Sequence, residues 1–151
     1  MPQVVVGVDG SSHSQAALDW AMAEAGLRQV PLTVLTVIPP AVEASGVTGQ
    51  LSPLDESFNE PGRAAVQRVT QDLVDKTVAE RAGQPEVAVT VHAVIGLPAD
   101  ELIQASEDAE LLVVAARGAG GFRRLIMGSV STQVVHHALC PVVVIPAGWR
   151  H

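Results

Sequence analysis

LLVVAARGAGGFRRLIMGSVSTQVVHHALCPVVVIP, residues 111–146, reads as a strand, a glycine-rich loop, a helix and a second strand. The apolar run 111–116 ends at Arg117, and Gly118, Gly120 and Gly121 follow with Arg123 and Arg124 close behind. Gly128 and Ser129 then open a helical pattern with Val130, Val134, Val135, Ala138 and Leu139 on one side. A loop that leaves a buried strand for a helix N-terminus carries free backbone N–H groups and a partial positive charge. Glycines let the backbone approach a ligand closely. Together these features describe an anion site, with phosphate the expected anion.

Working outward, the rest of the chain alternates in the same way. Residues 4–8 form a short continuous apolar run, the pattern of a strand buried on both faces of a parallel sheet. Asp9-Gly10-Ser11-Ser12 ends it, and Ser12 with Gln15 forms a capping-box pattern for a helix over 14–28. That helix is expected to bury Ala17, Leu18, Ala21 and Ala25. Residues 31–38 read as a second strand stopped by Pro39-Pro40. The stretch 41–60 has no clear period and is expected to be a long surface connection. From Gly62 a helix resumes towards Gly83, with Val66, Val69, Leu73, Val74 and Val78 at helical spacing. Residues 87–95 form a third strand, and Thr90 and His92 on one parity place it at a sheet edge. A helix over 99–108 precedes the fourth strand, 111–116; the last helix spans 129–139 and the fifth strand 141–146. The order βαβαβαβαβ means a parallel sheet with right-handed crossovers in a single domain, 1–151. Ligands of such sheets bind beyond the carboxyl ends of the strands, where the strand order reverses.

Composition narrows the function classes. The chain is 48% hydrophobic and 17% charged, so disorder is excluded. No apolar run reaches the roughly 18 residues of a membrane span. The N-terminus lacks a basic segment before its apolar stretch, and the one cysteine, Cys140, permits no internal disulfide; a cytoplasmic protein is expected. A net charge of −7 opposes a general nucleic-acid surface, yet three of the nine basic residues fall between 117 and 124.

Known phosphate motifs fail one by one. GxxxxGK[ST] is absent, and the only lysine, Lys76, lies in an expected helix. GxGxxG breaks at Arg123. A flavin site would usually sandwich its ring between aromatics, which are scarce here, and a receiver domain would need more acids than Asp9 at the strand ends. His136 and His137 are adjacent and point about 100° apart on a helix, so a shared metal is not expected. Cys140 reads as a packed small side chain, His13 as a solvated loop residue and Asp9 as a ligand group.

VVGVDGS at 5–11, LTVI at 35–38, RGAGGFRRLIMGSVS at 117–131 and the closing HHALCPVVVIP together resemble the universal stress protein family over nearly the whole chain. Nucleotide-binding members of that family carry G-x2-G-x9-G-[ST]. Here Gly118, Gly128 and Ser129 occupy the second, third and hydroxyl positions, and Ala115 stands where the first glycine belongs. The resemblance implies an open, doubly wound five-stranded parallel α/β sheet of order 3-2-1-4-5, with helices on both faces. It implies ATP as ligand, with Mg²⁺ carried on the phosphates and no protein metal cage. Gly7 and Asp9 would border adenine and ribose, and Val37 would contact adenine. Ala115, Ala116, Arg117, Gly118, Ala119, Gly120 and Gly121 would wrap the ribose and first phosphates. Gly128 would open the last helix, where Ser129, Val130 and Ser131 bind terminal phosphates through N–H and hydroxyl groups. It further implies a homodimer through strand 142–146 and a nucleotide-dependent switch or interaction module, with no catalysis beyond slow, incidental ATP hydrolysis. A nucleotide-free dimeric scaffold and a slow nucleotide-handling hydrolase are the alternatives.

Overall fold

Runs of β-branched residues set the strands, and the computed structural model describes residues 2–40, 56–117 and 128–149, with backbone alone at 56–60. The strands are β1 (Val4–Gly7), β2 (Leu32–Ile38), β3 (Val89–Ile95), β4 (Leu111–Ala115) and β5 (Val142–Ile145). The helices are α1 (Ser12–Arg28), α2 (Glu56–Glu80), α3 (Pro98–Ala105) and α4 (Ser129–His137), with a 3₁₀ turn at Ser106–Asp108. All four strand pairings are parallel and the order is β3-β2-β1-β4-β5, as expected from the sequence.

Alternate residues of each strand serve opposite faces. Val4, Val6, Leu32, Val34, Leu111 and Val113 meet Ala17, Leu18, Ala21, Met22 and Ala25 of α1 and Val74 of α2. Val5, Leu35, Leu112 and Val114 meet Leu102 of α3 and Val134 of α4. Full burial of a residue such as Leu18 or Leu112 contributes about 1.5–3 kcal/mol each. Both faces of the sheet are thus packed by helices, which leaves the strand ends as the places open to a ligand.

Several sequence expectations shift. Ser11, not Ser12, caps α1: its hydroxyl accepts from the Ser14 N–H at 3.2 Å. Helix α2 starts before Gly62 and runs through Pro61. Proline there removes the bond to the residue 57 carbonyl and crowds that carbonyl, in the second turn of the helix. Val69 and Val78 lie on the outer face of α2, 68% and 47% exposed, while Thr70 and Thr77 take the inward positions. Thr77 can do so because its hydroxyl donates to the Leu73 carbonyl at 2.8 Å and accepts from Gln15 Nε2 at 3.2 Å. Helix α4 stops at His137, two residues short of the sequence reading, and Val135 and Leu139 are exposed. The excursion expected over 41–60 lies outside the described residues up to 55.

Candidate functional site

Strand order reverses at β1, which lies between β2 and β4, so the carboxyl ends of β1 and β4 stand side by side. Beyond β1 the chain turns through Asp9 and Gly10, the latter at φ +85°, a left-handed conformation that suits glycine. Polar bonds tie this turn to itself. Asp9 Oδ1 accepts from the Ser11 N–H at 2.9 Å. The buried Ser14 hydroxyl accepts from the Asp9 N–H at 3.2 Å and donates to the Ser11 carbonyl at 3.0 Å. Sequence reasoning overlooked Ser14; its signal was the Ser11-x-x-Ser14 spacing.

Beyond β4, Ala116 has both backbone groups engaged. Its N–H donates to the Ile145 carbonyl at 2.8 Å. Its carbonyl accepts from the Gly128 N–H and from the Ser131 hydroxyl, the latter at 2.9 Å. Ser131 is 2% exposed and its hydroxyl also lies 3.1 Å from the Gly128 carbonyl. The hydroxyl role expected for Ser131 is therefore taken by the protein, and only its N–H faces the helix end. Thr132, not singled out from the sequence, closes the turn by donating through N–H and hydroxyl to the Gly128 carbonyl, at 3.0 and 2.8 Å.

Helix α4 begins at Gly128 with no side chain capping it. The first-turn N–H groups of Ser129, Val130 and Ser131 thus meet no side-chain acceptor at the cap, and Ser129 is exposed. An uncapped N-terminus concentrates about half a positive charge. Nearby in sequence, half-buried Arg117 holds its Nε buried with no hydrogen-bond partner. A buried donor left unpaired costs about 1–3 kcal/mol, more when it belongs to a charged group, which an anionic ligand would recover.

The remaining expected residues divide cleanly. Gly7 lies against α3: a Cβ there would stand 2.9 and 3.2 Å from the Leu102 methyls, so the Leu102 side chain would have to shift to admit one. Val37 is half-buried beside the second core cluster, opposite Val94 of β3. Ala115 packs on the first cluster, opposite Ile145. Gly118, Ala119, Gly120 and Gly121 lie outside the described residues. His136 and His137 are exposed on α4. Cys140 is half-buried, and burial pushes its thiol pKa up despite a backbone hydrogen bond at Leu112 that lowers it. Among the described residues no three His, Cys, Asp or Glu converge as metal ligands, and no helix is long and apolar enough to cross a membrane.

Comparison with known proteins places this geometry. The universal stress protein family model matches residues 1–146. A universal stress protein of Mycolicibacterium smegmatis is 36% identical over 144 residues, covering 94% of this chain and 47% of the relative. The chain thus spans about half the length of the curated relatives it matches. Among solved structures, the universal stress protein UspA of Lactobacillus plantarum superposes with a TM-score of 0.77 at 26% identity, covering 95% of this chain and 97% of that one. A universal stress protein in complex with cAMP superposes with a TM-score of 0.64 at 25% identity, over 95% of both chains. The strand order, the uncapped helix after β4 and these matches agree: the chain belongs to the universal stress protein family.

Proposed function

We propose that the chain binds an adenine nucleotide at the carboxyl ends of β1 and β4 and works as a nucleotide-dependent switch or interaction module. The observation that carries this reading is the buried, unpartnered Nε of Arg117 beside a strand end that leads to an uncapped helix N-terminus. With no lysine available there, backbone N–H groups of α4, the Ser129 hydroxyl and Arg117 supply the positive field for phosphate. The cAMP complex of a structural neighbour supports an adenine ligand. ATP is the nucleotide proposed, with Mg²⁺ carried by its phosphates; AMP and cyclic nucleotides fit the same chemistry. Asp9 and Val37 would flank ribose and adenine. We read any hydrolysis as slow and incidental, because no lysine or paired base is evident in the sequence at the phosphate end.

Self-association through β5 is part of the same proposal. Val142, Val143 and Val144 are only half-buried on an edge strand, and relatives about twice this length have room for a second unit of equal size. The single cysteine fits a reducing cytoplasm.

Calorimetric titration with ATP and Mg²⁺ tests the ligand. Binding is expected, and Arg117→Gln should weaken it roughly tenfold or more, since a hydrogen bond to a charged group contributes about 1.5–3 kcal/mol. No heat of binding, with no nucleotide released from the denatured protein, would leave the second reading. That reading is a nucleotide-free scaffold, favoured by the methyl of Ala115 at the first glycine position of the pattern that the family resemblance implies. Ala115→Gly should then create binding where the parent has none.

A further inference from the structure

Among the described residues, the outer edge of β3 is met by a side chain. The Leu32 N–H donates to the Ala88 carbonyl, and the Gly96 N–H to the Ile38 carbonyl, both across the β2–β3 pair. Even-numbered residues of β3 therefore direct their N–H and C=O groups at β2, and Val91 and Ala93 direct theirs outward. On that outer side, Gln67 of α2 donates through Nε2 to the Val91 carbonyl at 2.7 Å and accepts through Oε1 from the Ala93 N–H at 2.8 Å. One residue of a neighbouring parallel strand would engage the same two groups in the same sense. Arg63, one turn earlier, adds a contact from Nη1 to the Ala93 carbonyl at 3.4 Å. The inward residues Thr70 and Val74 hold α2 in place behind this contact.

We infer that Gln67 is a surrogate strand that closes the β3 edge to a second copy of this chain. An exposed row of strand N–H and C=O groups is a template for pairing with another chain. Outward side chains give weak protection here, since β3 carries no charged residue, only Thr90 and His92 as polar members. The amide of Gln67 removes the template at its centre. Without it, each copy offers a second edge besides β5. A molecule with two pairing edges joins into open-ended arrays where one with a single edge stops at a closed pair. This role is independent of any nucleotide.

The test compares the full-length parent with Gln67→Met, Gln67→Ala and Gln67→Glu. Methionine keeps the length and helix propensity and loses both hydrogen bonds, so it serves if the alanine variant fails to fold. In the methionine variant the Ala93 N–H should exchange with solvent at least tenfold faster. Its mass by sedimentation should grow with concentration beyond the parent's largest species. The glutamate variant keeps an acceptor for the Ala93 N–H and adds a charge that repels an incoming strand; it should stay at the parent's size. Unchanged exchange at Ala93, unchanged mass in a folded methionine variant, or growth of the glutamate variant to the same extent would each overturn the inference.

Discussion

The two margins of the sheet are finished by different means. At β3 the outward backbone groups are met from within the chain, by Gln67 and Arg63 of α2. At β5 the strand Val142–Ile145 stands at the opposite margin, and α4 packs against its face through Val134 and the second cluster. The difference lies in the preceding crossovers. Helix α2 is 25 residues long and brings polar side chains alongside β3, whereas α4 has nine residues and ends at His137. A long crossover can cover an edge, while a short one covers only a face. The contrast teaches that protection of a strand edge depends on which helix escorts which strand.

The largest expected effect is at the β5 margin. Ala116 donates to Ile145, and Leu112 to Pro141, so the odd-numbered residues of β5 face β4 and Val144 turns its N–H outward. Val144→Pro deletes that donor and leaves the β4 ladder intact. If two copies pair through β5, symmetry removes two bonds of about 1 kcal/mol each, and self-association should weaken on the order of tenfold to a hundredfold by sedimentation. Unchanged association would move the interface elsewhere.

A smaller change is expected at the covered margin. Val74, 1% exposed, anchors α2 on the first core cluster. Val74→Ala should cost about 2 kcal/mol in denaturant unfolding and speed exchange at the Ala93 amide, because the helix that carries Gln67 loses its anchor. A stability loss with no change at Ala93 would separate the clamp from the packing.

The mildest effect concerns Cys140, which enters β5 through Pro141. Burial disfavours the thiolate, raising the pKa in the folded chain. Alkylation of the native protein at neutral pH should therefore run slower than in denaturant. It should accelerate only on the alkaline side of the ordinary thiol range, which a pH series of labelling rates checks. A native rate equal to the denatured one would mean the start of β5 is looser than its packing implies.

What the sequence disclosed follows from how local each signal was. Strand runs such as 4–7 and 142–145 are self-contained, and helix α1 with its buried Ala17, Leu18, Ala21 and Ala25 was readable from spacing alone. The edge position of β3 was legible from Thr90 and His92. The cap of α1 was misread by one residue because Ser11 and Ser12 both precede a hydrogen-bonding residue three positions on. The inward positions of Thr70 and Thr77 on α2 were not legible; Thr77 can be buried because its hydroxyl donates to the Leu73 carbonyl one turn back. Gln67 was invisible: its partners are 24 and 26 residues away, and no local pattern marks a glutamine that bonds a strand. At the candidate site, the spacing of Gly118, Gly128 and Ser129 drew attention to the crossover after β4. It did not reveal that Ser131 turns its hydroxyl inward or that Gly7 lies against Leu102.

That inward hydroxyl has a thermodynamic consequence. Gly128 and Ser131 both grip the Ala116 carbonyl, so the two ends of the intervening segment are stapled together across the mouth of β4. The entropy of joining the ends of a loop rises only slowly with its length. Here that cost is met by bonds between described residues, within the folded chain. A doubling of the length between the two ends should therefore cost only about 0.6 kcal/mol of stability, with the staple itself unchanged.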